Sequence, residues 1–165
     1  MKKIVIAGGC FWGVEEYYRR LKGVGETRVG YAQGLLENPS YQEVCTGRTL
    51  HAEVVEVEYD PMILPLTKVL EHLFRIIDPT SLNKQGNDVG TQYRVGIYPV
   101  DAEDMDMISA YVTERQKDYA KPLVFEVEFL RDFYDAENYH QKYLVKNPGG
   151  YCHVNMGLIR SEEKK

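Results

Sequence analysis

Along "FWGVEEYYRRLKGVG" the residues Val14, Tyr17, Tyr18 and Leu21 recur at the spacing of one helical face, and Gly23 supplies a stop. The run before them, "KKIVIAGG", is short, β-branched and ends in glycine, as a buried strand does. "ETRVGYA" reads as a second strand and "HAEVVEVEYD" as a clearer third. "LTKVLEHLFRII" places Leu66, Val69, Leu70, Leu73 and Ile77 on one helical face, and Asp78-Pro79 ends it. "QYRVGIYPV" is strand, "AEDMDMISAYVTERQKDYA" a helix with an acidic first turn, "LVFEVEFL" strand again, and "DAENYHQKYL" a last helix. Between them, "DPTSLNKQGNDVGT" has no period, and a loop that long in a small domain is more often functional than idle. This order predicts an α+β fold, a two-layer sandwich of helices over a largely antiparallel sheet. Residues 1–157 read as a single domain and 158–165 as a charged C-terminal tail, with no internal repeat or linker.

Composition narrows the chemistry. With 165 residues, 44% of them hydrophobic, the chain supports a core without disulfides or metals as staples. Twenty basic against twenty-five acidic residues leave a net charge of -5, which excludes the electrostatic footprint of a nucleic-acid or anionic-membrane binder and points to a small or peptide substrate. The start, "MKKIVIAGGC", imitates a lipoprotein signal, but only Ile4 to Ala7 precede the glycines, short of the roughly 7–15 apolar residues needed. No stretch reaches the roughly 20 apolar residues of a membrane span, so a cytoplasmic location is expected. Three cysteines, an odd number without CxxC spacing, argue against a disulfide framework and against a structural zinc site.

Cys10 raises the chemical question. With a strand ending near Gly9 and a helix starting at Phe11, its sulfur lies at a helix N-terminus, where unpaired N–H groups and the macrodipole favour an anion; the thiol is expected to ionise more easily there. Most isolated cysteines merely fill buried space. Two features favour chemistry. Phe11 and Trp12 are adjacent on a helix and cannot share a face, so one of them is expected to be partly open, able to hold a methyl group or thioether beside the sulfur; packing of both rings in the core is equally compatible with the spacing. In "HAEVVEVEY", strand alternation puts Glu53 in one row with Val55, Val57 and Tyr59. A carboxyl group there is desolvated and becomes a proton donor near neutral pH, unless it reaches solvent at the strand start. Tyr31, Tyr41 and Tyr93 sit beside turn residues, where phenols can donate to a polar oxygen, though position selects none of the thirteen tyrosines. His51, His72, His140 and His153 lack paired metal-ligand spacing; His72 reads as structural, and neither His51 nor His140 is assigned a role.

"GCFWG" at Gly9–Gly13 resembles the active-site signature of the A-type peptide methionine sulfoxide reductases, and the similarity continues in order through "VGYAQG", "NPSYQEVCTG", "HAEVVEVEYDP", "DPTSLNKQGNDVGTQYR", "FYDAENYHQKYL" and "GYC". The resemblance implies a ferredoxin-like plan and a catalytic domain that reduces the S epimer of methionine sulfoxide in peptides and proteins, and leaves use of the free amino acid open. It implies Cys10 as nucleophile, Glu53 as acid, Phe11 and Trp12 against the substrate methyl, Tyr41 and Tyr93 as donors to the sulfoxide oxygen, and Asp88 at the pocket floor. Cys152 is implied as the resolving cysteine, which forms a disulfide with Cys10. No bound cofactor or metal is implied; thioredoxin, or dithiothreitol in vitro, is the external reductant, and Cys45 has no catalytic role. The chain departs from the family pattern at Leu50 and Gln33, where glycine is commoner, and lacks a further cysteine beyond "GYC".

A sulfoxide is a poor electrophile until its oxygen is protonated. Full ionisation of a thiol gains at most about thirtyfold at neutral pH, whereas a positioned acid contributes roughly 10²–10⁴, so the donors outweigh the thiol pKa. Two other readings compete: a thiol hydrolase or acyltransferase with His51 or His140 as base to Cys10, and a non-catalytic methionine-binding module.

Overall fold

The computed structural model describes residues 1–165. β1 (Lys2–Gly8), α1 (Phe11–Arg19), β2 (Val24–Ala32), β3 (Ala52–Tyr59), α3 (Leu66–Ile76) and β6 (Val95–Tyr98) form a β-α-β-β-α-β series. Within the sheet these four strands run β6-β1-β3-β2, all antiparallel, which is the ferredoxin-like order. Two short strands extend it: β7 (Glu126–Val127), parallel to β6 at one edge, and β8 (Phe133–Asp135), antiparallel to β2 at the other.

The lack of alternation in β1 has a physical cause. Ile4 and Ile6 face the main core with the helices, while Val5 and Ala7 face a second cluster on the other side of the sheet, with Ala32, Ala52, Val54 and Tyr98 under Leu130 and Phe133. β3 has the expected polarity: Val55, Val57 and Tyr59 point into the main core, and Glu56 and Glu58 lie half-buried on the outer face. α1 and α3 cover the main core; Val14, Tyr17, Tyr18 and Leu21 from one meet Val69, Leu70 and Leu73 from the other. α4 (Ala102–Arg115), capped by the Asp101 side chain on the Asp104 N–H, adds Ile108.

Three segments differ from the sequence reading. "LVFEVEFL" contributes only the two residues of β7, and "DAENYHQKYL" is not one helix. After β8 it makes a 3-10 turn over Asn138–His140 and then the four-residue α5 (Tyr143–Lys146). Long-range side-chain bonds break it. Gln141 ties itself to the Val29 backbone, donating to its carbonyl at 2.8 Å and accepting from its N–H at 2.9 Å. Buried Glu15 accepts from the Lys142 N–H at 2.7 Å, while Lys142 takes a left-handed φ of 52°. The third segment is α2 (Tyr41–Cys45), a helix missed in "NPSYQEVCTG", started by a capping box between Ser40 and Glu43.

The long loop is ordered by a small hairpin, β4 (Lys84–Gln85) and β5 (Asp88–Val89). Buried Gln85 pins it to the end of α3, accepting from the Asp78 N–H at 2.9 Å and donating to the Asp78 carbonyl at 2.8 Å. The charged residues 158–165 are docked: Ile159 enters the core, and the Glu163 carboxylate takes two hydrogen bonds from Arg75 at 2.7 and 3.0 Å. No helix is long and apolar enough to cross a membrane.

Candidate active site

β1 ends in Gly8, and continuing its register with β3 by two residues sets Gly8 across from Glu53. The chain must then turn sharply. Gly9 does so at φ 88°, and a Cβ there would lie 2.9 Å from both Gln85 Cβ and His153 Nε2, so only glycine fits. Cys10 follows as the N-cap of α1 with no side-chain capping bond. The orphan N–H of Phe11 donates to Glu53 Oε1 at 3.1 Å, which brings the carboxyl group beside the sulfur.

Burial decides the electrostatics. Glu53 is 1% exposed, and desolvation raises its pKa to about 8, against the Phe11 hydrogen bond and aided by the charge of Asp88. It is therefore protonated at neutral pH. The expectation that Cys10 ionises easily is overturned: at 8% exposure, desolvation pushes the thiol well above its ordinary pKa, Glu53 adds to this once it is ionised at higher pH, and the hydrogen bond from the Trp12 backbone only partly offsets it. The resting pair is a thiol beside a neutral acid.

The two rings after Cys10 divide as expected, with Phe11 buried and Trp12 partly open. Phe11 packs 5.7 Å from Tyr31 and 5.2 Å from His140 between centroids. The Trp12 indole stacks on Tyr143 at 3.7 Å and donates to His140 Nδ1 at 2.9 Å. Tyr41 lies 4.5 Å from the same imidazole. Tyr93 is raised in pKa by burial first, then by the charges of Glu53 and Asp88, with Cys10 also acting on it, so this phenol stays protonated within the same group. Tyr41 is likewise held up by burial and by Cys45 beside it. Asp88 accepts from the Tyr151 hydroxyl at 2.9 Å.

Cys152 lies against α1, one helical turn from Cys10. A Cβ on Gly13 would approach its sulfur to 2.9 Å, so the second glycine of "GCFWG" makes room for this thiol. Gly149 and Gly150 do not use the left-handed freedom suggested by their type; Gly150 instead allows close approach of Tyr143, whose Cε1 would meet a Cβ at 2.8 Å. Thus Cys10, Phe11, Trp12, Tyr41, Glu53, Asp88, Tyr93 and Cys152 are gathered at one end of the sheet.

Sequence reading passed over Glu137. Its carboxylate accepts from the Tyr31 hydroxyl and the Tyr41 N–H, each at 2.9 Å, and so fixes the start of α2 against β2. Burial works to raise its pKa, but these bonds together hold it below the ordinary value. No sequence period marks it. None of the four imidazoles hydrogen-bonds to Cys10: His140 takes the indole N–H, His72 pairs with the Tyr17 hydroxyl at 2.7 Å, His153 with the Gly8 carbonyl at 2.7 Å, and both His51 nitrogens lack a partner. The largest concavity, about 550 Å³, is ringed by charges such as Lys3, Arg28 and Glu56 and includes no candidate residue.

A family profile described as peptide methionine sulfoxide reductase matches residues 2–165. The chain belongs to that family. Among its members, the enzyme named peptide methionine sulfoxide reductase MsrA from Clostridium botulinum strain Okra is 60% identical over 156 residues, covering 94% of this chain and 99% of its own. Among solved structures, reduced Mxr1 from Saccharomyces cerevisiae superposes with a TM-score of 0.85 at 40% identity, covering 93% of this chain and 91% of that one. Mxr1 in complex with Trx2 gives 0.60 at 28% identity, with 86% and 84% covered. As a member of the family, the chain is a methionine sulfoxide reductase.

Proposed function

We propose that this chain reduces the S epimer of methionine sulfoxide, in peptides and as the free amino acid, with Cys10 as nucleophile, Glu53 as acid and Cys152 as resolving thiol. The observation that carries this is the Glu53 carboxyl group, buried, protonated up to about pH 8 and bonded to the residue next to Cys10. The substrate methyl lies against Phe11 and Trp12, and its oxygen meets Glu53 with Tyr41 and Tyr93 as further donors. Asp88, held by Tyr151, lines the floor. Cys10 sulfur attacks the sulfoxide sulfur while Glu53 protonates the oxygen. The oxygen passes to the Cys10 sulfur, forming its S–O bond as the methionine S–O bond and the transient sulfur–sulfur bond break; methionine leaves, Cys10 is left as a sulfenic acid, and the thiol proton of Cys10 restores Glu53. Methionine sulfur is reduced by two electrons and Cys10 oxidised by two.

Cys152 then condenses with the sulfenic acid, releasing water, and a thioredoxin reduces the disulfide; the complex of the relative Mxr1 with Trx2 supports this reductant. No metal or bound cofactor enters the cycle. A hydrolase would need a base on Cys10, and no imidazole bonds to it.

The test supplies each pure epimer with dithiothreitol. Methionine should form from the S epimer alone, and turnover of the R epimer at a similar rate would refute the assignment. Cys152→Ser should still yield one equivalent of methionine in a single turnover and then stall with thioredoxin as reductant, leaving Cys10 as sulfenic acid by mass spectrometry. A Cys10–Cys45 disulfide in the wild type would transfer the resolving role.

A further inference from the structure

Gly13 and Glu16 on α1 and Arg20 at its C-cap fall at i, i+3 and i+7, which makes them one stripe of the helix surface. Cys152 rests on that stripe. Its sulfur is the nearest atom to a Cβ built on Gly13, and Glu16, Arg20 and Cys152 line one cavity of about 160 Å³. The thiol donates to the Val154 carbonyl at 3.2 Å, a bond that holds the sulfur in place.

Glu16, almost fully buried, is shared by two guanidinium groups: Arg19 Nε reaches it at 2.8 Å and Arg20 Nε at 3.1 Å. Arg19 shares that carboxylate from outside the cavity, so the charge of Arg20, which lines it, is only partly matched by Glu16. Opposite α1 the lining is uncharged, with Leu144, Pro148 and Met156. The other titratable groups acting on or beside Cys152 are Cys10, at the start of α1, and its two chain neighbours, Tyr151, which is tied to Asp88, and His153, which is tied to the Gly8 carbonyl.

We infer that Arg20 is a positioning residue for the second half of the cycle, holding the positive charge that favours the Cys152 thiolate as it attacks oxidised Cys10. In that step the Cys152 sulfur bonds to the Cys10 sulfur, the Cys10 S–O bond breaks, and the departing hydroxide takes up the proton Cys152 has lost, leaving as water. The sulfenic sulfur is reduced and the thiol oxidised, so no further reagent is required. Burial pushes the Cys152 thiol up; hydrogen bonding to the Val154 backbone and then the Arg20 charge work against that, with Glu16 in opposition. Arg20 does not touch the sulfoxide, so the first half of the cycle is independent of it.

The inference rests on the resolving role of Cys152, and the test separates the two. Wild type, Arg20→Gln and Arg20→Lys are mixed with one equivalent of methionine sulfoxide and quenched, and methionine and the Cys10–Cys152 disulfide are followed separately. The methionine burst should be unchanged in all three, while disulfide formation slows about two- to fivefold in Arg20→Gln at neutral pH, because a smaller thiolate fraction is partly offset by greater nucleophilicity, and recovers in Arg20→Lys. In a Cys10→Ser background, the pH midpoint of Cys152 alkylation should move up by about one unit with Arg20→Gln and return with Arg20→Lys. A wild type that makes no Cys10–Cys152 bond removes the resolving role itself. A wild type that makes it, with Arg20→Gln unchanged in disulfide rate and alkylation midpoint, overturns only the part given to Arg20.

Discussion

Glu53 shows how one residue can serve chemistry at the expense of stability. Its pKa is about 8 when folded, against 4.5 for an ordinary glutamate, because burial disfavours the charge. The folded state keeps the proton between about pH 4.5 and 8 while the unfolded chain releases it, so stability falls as pH rises through that window. Glu53→Gln retains the shape without a titrating proton. Turnover is expected to drop by roughly 10²–10⁴, and the alkaline limb of the wild-type rate should vanish with it. The variant should also resist urea better than the wild type at pH 9, by on the order of a few kcal/mol, and differ less at pH 5. A loss of turnover under fivefold would transfer the acid role to the tyrosines. The burial of Glu53 was half legible: alternation on "HAEVVEVEY" gave its row, but whether the row reached solvent at its first residue depended on the turn at Gly9 and on α1, which come from elsewhere in the chain. The thiol of Cys10 was misread for the complementary reason. A helix start is local and visible, whereas desolvation is a property of the assembled site.

Among the elements, the long periodic ones were legible and the short ones were not. β1, β3, α1, α3 and α4 carry enough apolar positions to announce themselves. β8 has three residues and α5 four, and both are positioned by partners more than a hundred residues away, such as Val29 and Glu15. α2 was overlooked although its Ser40-x-x-Glu43 box was in plain view. The ends of the loop around α2 carry a second lesson. Gln33, just after β2, and Leu50, just before β3, have φ of 62° and 61°, a left-handed conformation that explains why glycine is commoner at both positions. Gln33 offsets the strain, donating to Glu128 Oε1 at 2.8 Å and the Phe129 carbonyl at 3.0 Å while accepting from the Arg131 N–H at 2.7 Å. Leu50 is exposed and makes no such bonds. Leu50→Gly should therefore raise stability by about 0.5–1 kcal/mol, and Gln33→Gly should lower it by about 1–3 kcal/mol, since the buried Gln33 side chain and its three hydrogen bonds are lost. Chemical denaturation of the two variants checks this, and equal signs would refute it.

Across the whole molecule, the C-terminal residues close the structure. Arg75 holds the Glu163 pKa down to about 2, chiefly through their hydrogen bonds, and burial holds nearby His72 down to about 4. Both groups bind protons more readily when unfolded, so both withdraw stability as pH falls, His72 from about 6.5 to 4 and Glu163 from about 4.5 to 2. Glu163→Gln should lower stability at pH 7 by about 1–3 kcal/mol, seen as a fall in Tm of roughly 3–10 °C, and should flatten the acid limb below pH 4.5. An unchanged Tm would show that Ile159 and the backbone bonds of Glu163 and Lys165 to Lys22 and Arg20 secure this segment without the ion pair. The sheet edges carry a different consequence. Its outermost strands, β7 and β8, run to two and three residues, and Arg28 lies 4.3 Å over the ring of Phe133 at the β8 end. Oxidised methionine loosens the chains that bear it, and loosened chains present sticky strand segments to any free backbone they meet. With outermost strands this short, β7 and β8 offer a stray segment little backbone to pair with, and beyond β8, which covers only Gly30–Ala32, the Val29 backbone of β2 is occupied by the Gln141 side chain.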